Sequence, residues 1–171
     1  VWIAYAMLDS TLMTSRRYID WIITTPTMLL ATIIFMKYQE KKEKKKLDTV
    51  TFMGFVKENK DKIMYIFLYN FLMLAFGYLG EVEFIPKYIG IPIGFYFFYK
   101  SFYIVYTFAK ESVLGLRLFV FLVSVWGLYG LAAVLPVEEK NISYNLLDIV
   151  AKNFYGLYLF YNIVKVSRQN T

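Results

Sequence analysis

Two side chains of opposite charge, Asp148 and Lys152, lie within an apolar stretch at residues 142–166. At about 25 residues, this stretch is long enough to cross a bilayer. Residues four apart share one helix face, so the acid and the base can pair. A charge at the centre of a spanning helix costs roughly 2.5–3.5 kcal/mol of insertion free energy. A structural or functional interaction of the pair must offset this cost. The pair either holds helices together, or the lysine carries a covalent group with the aspartate as counterion.

A second group of polar residues lies in another apolar stretch, which begins at Arg17. Asp20 follows three positions later and Thr24 four positions after that, so all three share one helix face. Buried charges in apolar surroundings have to be paired. Because Arg17 and Lys152 can balance Asp20 and Asp148, the sequence predicts one neutral cluster between two facing helices.

Large aromatic side chains occur at a similar depth in the apolar stretches. Trp21 follows Asp20 directly, and Trp126 and Tyr129 lie in a later stretch. Such residues are more often ordinary packing than part of a ligand site. Their coincidence in depth with the charged cluster favours an elongated apolar ligand held beside Lys152.

The elements that must position these residues are membrane-spanning helices. Hydrophobic residues make up 58% of the chain, above the share of about half in soluble domains. The absence of cysteine and histidine excludes disulfides and thiolate metal sites and removes the commonest general base. We predict an all-α membrane protein with one domain over residues 1–171. Its predicted spans are 1–8 (the end of a helix whose start is missing), 17–37, 63–80, 88–109, 113–135 and 142–166, with polar loops at 9–16 and 136–141.

A basic segment separates the first two complete spans. Nine of the nineteen lysine and arginine residues lie between Lys37 and Lys62, and the net charge of the chain is +6. The positive-inside rule places this loop, residues 38–62, and the C-terminus in the cytoplasm. We predict a short amphipathic helix at 47–56, beside the lysines. The segment 37–62 either docks on anionic lipid or another polyanion or is simply solvated, and no nucleic-acid partner is indicated.

Several motifs resemble those of microbial (type 1) rhodopsins. Residues 17–26 (RYIDWIITTP) resemble the third helix of that family, and residues 147–156 (LDIVAKNFYG) resemble the seventh. Residues 126–129 (WGLY) resemble a sixth-helix motif that packs on the chromophore. Residues 76–81 (FGYLGE) and 144–148 (YNLLD) are similar to the proteorhodopsin branch, which includes viral rhodopsins. The match covers the whole chain and implies a seven-helix bundle without its first helix and most of its second.

The resemblance also implies a chromophore and the residues around it. Lys152 would carry all-trans-retinal as a protonated Schiff base, with Asp20 as main counterion and first proton acceptor. Asp148 would be the second counterion, Arg17 would connect the cluster to the outside, and Thr24 would hydrogen-bond Asp20. No hydrolysis or group transfer is implied, so we expect no enzyme activity. The residues that would line the retinal pocket are Tyr18, Trp21, Met28, Met73, Gly77, Phe98, Trp126 and Tyr129.

The sequence departs from the proton-pump pattern at Ala31. Pumps of the family have a carboxylate eleven residues after the main counterion, and this chain has Ala31 there. Asn145 lies three residues before Asp148 and adds a polar group on the path towards the outside. These departures favour a light-gated cation channel, whose wet path needs no proton donor. An outward proton pump with a slow cycle and a sensory photoreceptor are the alternatives.

The partners that follow from this interpretation are the lipid bilayer and the transported cations or protons. Relatives in the family form oligomers. Glu81 and the aromatic outer faces of the helices permit a homo-oligomer here as well.

Overall fold

The computed structural model of the protein describes residues 10–44 and 51–169, without the side chains of 10–13, 15, 154 and 163–169. Within these residues the regular structure is entirely helical, which confirms the all-α prediction. Contacts divide the chain into two compact units, residues 1–121 and 122–171. The helices are α1 (Ser10–Glu43), α2 (Phe52–Glu58), α3 (Lys60–Glu81), α4 (Lys87–Ala109), α5 (Val113–Ala132), α6 (Val137–Asp148), a π-helical turn (Ile149–Phe154) and α7 (Tyr155–Gln169).

Among the described residues, three helices are long and apolar enough to cross a membrane, namely α1 from Arg16 onwards, α3 and α5. They coincide with the predicted spans at 17–37, 63–80 and 113–135. α4 has 23 residues and coincides with the predicted span at 88–109. The last predicted span falls within the direct succession of α6, the π-helical turn and α7.

α1 is longer than the predicted span at both ends. The prediction of a loop before Arg17 is wrong for residues 10–16, which contain no glycine or proline and continue the helix. At the other end, Lys37 and Lys44 bind the Glu40 carboxylate at 2.8 and 3.1 Å. Ion pairs three or four residues apart stabilise a helix by about 0.2–0.5 kcal/mol each, so the helix extends into the charged segment.

Pro26 lies inside α1, where it removes the backbone donor for the carbonyl four residues earlier. Threonine hydroxyls on either side of the proline donate to carbonyls of the preceding turn. Thr25 donates to Trp21 at 2.7 Å, and Thr27 donates to Ile23 at 3.1 Å. The turn around the proline is therefore held by side-chain hydrogen bonds, and the helix continues past it.

α3 and α4 form an antiparallel pair in the first unit, and small residues let their backbones approach closely. A Cβ added at Gly90 would lie 3.0 Å from the carbonyl oxygen of Phe76. Further along the pair, the Ser101 hydroxyl donates to the carbonyl of Ile66 at 3.3 Å. α1 packs against both helices. Small residues at such contacts are typical of helices that associate inside membranes.

α3 ends in a turn in which Glu83 has a left-handed backbone conformation, with φ of 57°. The N–H of Phe84 donates to the carbonyl of Leu79 at 3.0 Å, and the N–H of Glu83 donates to that of Gly80 at 3.4 Å. This pair of bonds is the Schellman motif. Glycine usually occupies the left-handed position, because a Cβ is disfavoured at positive φ.

Replacing Glu83 by glycine is expected to stabilise the protein by about 0.5–1 kcal/mol, because the strain of the left-handed conformation disappears. Unfolding in mixed detergent and SDS micelles measures the change. Val82→Gly is the matched control, since Val82 has φ of −85° and gains nothing from glycine. Equal effects of the two substitutions would contradict this explanation.

The end of α1 contacts the turn before α5. Lys44 binds the Glu111 carboxylate at 2.8 Å, and a Glu43 oxygen accepts a hydrogen bond from the N–H of Val113 at 3.2 Å. Ser112 caps the same helix end, since its hydroxyl accepts a further backbone N–H at 3.0 Å. The hydrogen bond from Lys44 lowers the pKa of Glu111, and the same bond raises the pKa of Lys44. Side chains from two segments therefore hold the first turn of α5.

α2 overlaps the amphipathic helix predicted at 47–56, whose first four residues lie outside the described part of the chain. Phe55 is buried against Phe108 of α4, with ring centroids 5.9 Å apart. In contrast, Phe52 and Met53 are 54% and 75% exposed. α2 is therefore attached to the first unit by one side and presents apolar side chains on another.

α6 begins earlier than the sequence indicates. The prediction of a loop at 136–141 is wrong, because the helix begins at Val137 with Pro136 at its N-cap. Two glutamates in the first turn favour this start, since negative charge is stabilised at a helix N-terminus. Lys140 is fully buried, although a solvated loop was the expected environment.

Candidate functional site

The acid–base pair near the C-terminus forms within the second unit. Lys152 Nζ lies 3.5 Å from Asp148 Oδ1, and the two side chains are 29% and 21% exposed. The Tyr129 hydroxyl donates a hydrogen bond to the same oxygen at 2.5 Å. The Asp148 carboxylate is therefore held between a hydroxyl donor and an ammonium group.

Lys152 lies in the π-helical turn Ile149–Phe154. Such turns insert one extra residue into an α-helix and are frequent at functional sites. The N–H of Tyr155, which follows the turn, bonds the carbonyls of Lys152 and Val150. The lysine consequently departs from the regular register on which the sequence prediction of a shared helix face relies.

The aromatic residues of the second unit include one that contacts this pair, Tyr129. Trp126 of α5 is buried, with 8% exposed, and Tyr129 packs against Tyr144 of α6 with ring centroids 5.7 Å apart. Asn145 follows Tyr144 and is exposed. The hydroxyl of Tyr129 joins the aromatic pair to the acid–base pair.

The polar residues predicted for the first unit lie on α1. Arg17 is buried, with 2% exposed, and Asp20 is partly buried. Thr24 donates a hydrogen bond to Asp20 at 2.9 Å, but the acceptor is the main-chain carbonyl and not the carboxylate. The hydroxyl of Thr24 is therefore bonded to the backbone of its own helix.

An aromatic cluster lies beside these residues. Tyr18 and Trp21 are each 7% exposed, and their rings meet edge to face with centroids 5.0 Å apart. Tyr18 also meets Tyr78 of α3 at 5.7 Å. A Cβ at Gly77 would lie 2.9 Å from the Tyr18 hydroxyl oxygen. The Tyr18 ring can therefore pack this closely against α3 only because Gly77 has no side chain.

The remaining residues predicted to line a pocket are Met28, Met73 and Phe98, and all three are partly buried. Phe98 packs against Phe102 on the same helix, with ring centroids 4.5 Å apart. Phe98 therefore takes part in the aromatic packing of α4.

The sequence analysis missed Asn70 of α3. This residue is buried, with 2% exposed, and its amide donates to the Thr25 hydroxyl at 2.8 Å. Its carbonyl oxygen has no hydrogen-bond partner among the described residues. The sequence does contain a signal for Asn70, which is a single amide side chain within an apolar stretch. Such a side chain has to find a hydrogen-bond partner, because buried polar groups are almost always hydrogen-bonded. The Thr25 contact links α1 and α3 next to Pro26.

Comparison with known proteins identifies the family of this chain. The profile of the bacteriorhodopsin-like protein family matches residues 1–166. The chain belongs to the microbial rhodopsin family. Its fold is similar to the crystal structure of viral rhodopsin OLPVRII, with a TM-score of 0.77, 30% sequence identity, and coverage of 94% of this chain and 71% of that chain. A search among curated proteins found no match.

Membership in the microbial rhodopsin family explains why charged and aromatic residues lie together in apolar helices. Microbial rhodopsins are integral membrane proteins with several spanning helices, and they carry retinal as a Schiff base on a lysine. Members of the family transport ions under light or act as light sensors. The resemblance seen in the sequence, including its viral members, is confirmed.

The residues of this rhodopsin fit such a chromophore. Lys152 supplies an amine that faces a carboxylate 3.5 Å away, which suits a nitrogen that carries positive charge. Gly77 has no Cβ, which allows the ring of Tyr18 to pack closely against α3. The neutral cluster of Arg17 and Asp20 with Asp148 and Lys152 would join residues of both units, and it stays a prediction.

Gly77→Ala is expected to shift the absorption maximum and to destabilise the pigment by about 1–3 kcal/mol, because the added methyl group displaces the Tyr18 ring. Absorption spectra and thermal bleaching measure both effects. Gly127→Ala is the matched control, since a Cβ at Gly127 meets nothing within 4 Å. If the two variants behave alike, the close contact at Gly77 has no role in the pocket.

Proposed function

We propose that this rhodopsin is a light-gated cation channel with all-trans-retinal bound to Lys152. Retinal, held there as a Schiff base, supplies the absorption of visible light and a light-driven change of shape. Asp148 balances the positive charge at Lys152 Nζ, and Tyr129 holds the accepting oxygen of Asp148 in position. Asp20 is the main counterion and proton acceptor, and the buried Arg17 offsets its charge.

The observation that carries this proposal is the absence of an acid in α1 between Asp20 and Glu40. A pump must return a proton from the cytoplasm, and an acid within reach of the site usually relays it. Ala31 occupies the position where pumps of the family have that acid. Glu40 is bound to Lys37 and Lys44, which favours its charged form. A cation path needs only wet, polar groups and no proton donor.

Polar groups in both units support such a path. Asn145 is exposed, about one helical turn before Asp148. In the first unit, the Asn70 carbonyl oxygen is buried and has no protein partner among the described residues. A buried acceptor of this kind is commonly satisfied by an ordered water molecule. These side chains are the ones we expect to contact water or cations in the open state.

The current–voltage relation under illumination tests this proposal. The protein is expressed in cultured cells with all-trans-retinal and held at a series of voltages while the external cation concentration is varied. A channel gives a photocurrent that reverses sign, and its reversal potential moves by about 59 mV per tenfold change in a monovalent gradient. A unidirectional current with equal solutions supports the slow outward proton pump instead. A pigment without current supports the sensory photoreceptor.

We further propose that the chain forms one transmembrane domain with its C-terminus and the basic segment 37–62 in the cytoplasm. In this arrangement α4 and the succession from α6 to α7 cross the membrane together with α1, α3 and α5. The concentration of nine basic residues in one connection supports the orientation, because such loops stay in the cytoplasm.

We propose that the basic segment 37–62 docks on anionic lipid head groups. Phe52 and Met53 are exposed on α2, and the exposed Lys57 lies on the same short helix. A helix with apolar side chains next to lysines fits the boundary between head groups and acyl chains. Hydrogen exchange of the α2 amides should be slower in anionic than in neutral vesicles. Equal exchange in the two lipids would rule out docking through charge.

A further inference from the structure

Lys100 is a charged residue in the antiparallel pair of α3 and α4. Its ammonium group lies over the Tyr69 ring of α3, with Nζ 5.8 Å from the ring centroid. Tyr69 is the tenth of the 22 residues of α3, a helix that is long and apolar enough to cross a membrane. In the proposed transmembrane arrangement, on which this inference rests, the ammonium group is therefore close to the middle of the bilayer.

The Lys100 side chain points away from the nearer membrane surface. Lys100 is nine residues from the end of α4 and thirteen residues from its start. The Ser101 hydroxyl contacts the carbonyl of Ile66, so Tyr69, three residues further along the antiparallel helix, is level with a position about three residues before Ser101. The ammonium group is thus displaced towards the start of α4, as helical side chains usually are. Many lysines in spanning helices extend to the nearer surface instead, and Lys100 does not.

The ring below Lys100 belongs to a column of aromatic side chains between α3 and α4. Tyr69 stacks on Tyr65 with ring centroids 6.0 Å apart and on Phe97 at 6.2 Å. Phe97 in turn stacks on Phe76 at 5.7 Å. Tyr65 is exposed, and the other three rings and Lys100 are partly exposed. We call Lys100 and these four aromatic residues the Lys100 surface.

The charge of Lys100 is not balanced among the described residues. None of their carboxylates forms an ion pair with its ammonium group, which has the Tyr69 ring as its neighbour. A cation–π contact offsets only part of what a charge costs in the hydrocarbon core, where charged side chains are almost always paired. Because the ammonium group is not fully enclosed by the protein, a molecule outside the chain can supply the missing negative charge.

We propose that the Lys100 surface binds a transmembrane helix of another protein, one with an aspartate or glutamate near its middle. Lipid head groups begin about 15 Å from the bilayer centre, so their charges are far from this lysine. The acids within the predicted spans of this chain are Asp20 and Asp148, and both belong to the candidate site. A second copy therefore offers no carboxylate at this depth outside that site. A carboxylate of another helix accepts charge-assisted hydrogen bonds from the ammonium group, while the rest of that helix packs on the aromatic column.

Energy transfer in lipid vesicles tests the proposal with three synthetic transmembrane peptides. Each peptide is a leucine-rich helix with glutamate, glutamine or leucine at its middle, and it carries a dye that accepts energy from the labelled protein. The glutamate peptide is expected to bind about tenfold more tightly than the leucine peptide, because hydrogen bonds between charged groups are the strong ones. The glutamine peptide should bind with an intermediate affinity, since it can form only neutral or singly charged hydrogen bonds.

Variants of the protein make this test specific. Lys100→Met should remove the preference for the glutamate peptide, and Lys100→Arg should retain it because the charge is kept. Tyr103→Met is the matched control, since Tyr103 is 59% exposed on α4 and lies outside the Lys100 surface. Equal binding of the glutamate and leucine peptides overturns the proposal, and so does an equal loss of preference in the Lys100→Met and Tyr103→Met variants. Displacement of the glutamate peptide by free oleate assigns the surface to a fatty acid and overturns the helix partner.

A covalent experiment locates the contact. Dicyclohexylcarbodiimide activates the glutamate carboxyl group of the peptide, and the Lys100 amine then forms an amide bond with it and releases dicyclohexylurea. Mass spectrometry should find this adduct at Lys100. An adduct confined to other lysines overturns the proposal.

The depth of Lys100 is measured separately, because the chain has no native cysteine. A dye on Lys100→Cys is quenched by lipids that carry quenchers at known depths, and the strongest quenching is expected near the bilayer centre. A position near the head groups overturns the transmembrane arrangement itself, whereas a deep position without peptide binding overturns the helix partner alone. None of these experiments uses light, so their results do not depend on the channel test.

Discussion

Lys152→Ala is expected to abolish the visible absorption band of the protein after reconstitution with all-trans-retinal. In the proposed site, the amine of Lys152 forms the covalent bond that places the chromophore beside Asp148, and alanine has no such group. Absorption spectra of the purified protein measure the loss. Lys100→Ala is the matched control, because Lys100 also lies in an apolar helix but faces the Tyr69 ring. A coloured Lys152→Ala protein, or a colourless Lys100→Ala protein, would refute the assignment.

Asp148→Asn is expected to change both the absorption maximum and the thermal stability of the pigment. It removes the carboxylate that faces Lys152 and the charged acceptor of the Tyr129 hydroxyl. Loss of a nearby negative charge destabilises the positive charge at the lysine nitrogen, so the absorption maximum should move to longer wavelength. Breaking a fully buried pair costs about 3–5 kcal/mol, and we expect about 1–3 kcal/mol here because both side chains are partly exposed.

Two further variants make the Asp148 experiment specific. Tyr129→Phe removes only the hydrogen bond, so its effect on thermal bleaching should be smaller, about 1 kcal/mol. Asp20→Asn should shift the absorption maximum more than Asp148→Asn does if Asp20 is the main counterion. The opposite order would exchange the roles of the two aspartates, and an unchanged spectrum in Asp148→Asn would remove it from the site.

The helices inside the predicted spans could be located from the sequence, and the polar helical ends could not. α3 (Lys60–Glu81) and α4 (Lys87–Ala109) extend the predicted spans by at most three residues at either end, because charged residues border each apolar stretch. In contrast, residues 10–16 and 137–141 are helical although they are polar. Hydropathy measures the preference for a membrane, so a helical turn in polar sequence gives no such signal.

The site could be predicted only where its residues are close in sequence. The spacing of Asp148 and Lys152 predicted their contact, although Lys152 itself lies in a π-helical turn that breaks the periodicity on which spacing arguments depend. The Tyr129 hydrogen bond joins residues nineteen positions apart, and the Asn70 contact with Thr25 joins residues forty-five apart. Both depend on how helices pack, which single-sequence patterns do not specify.

The hydrogen bond from the Val113 N–H to Glu43 restricts where this protein can be lengthened. One residue inserted between Pro26 and Glu43 would rotate the end of α1 by about 100° and shift it by about 1.5 Å. The Glu43 carboxylate would then point away from the start of α5. A fluorescent tag or a partner domain inserted between Pro26 and Glu43 should therefore remove the Glu43 hydrogen bond from the start of α5. An insertion after Lys44 leaves the spacing from Pro26 to Glu43 unchanged. The length of α1 from Pro26 to Glu43 therefore determines whether this hydrogen bond can form.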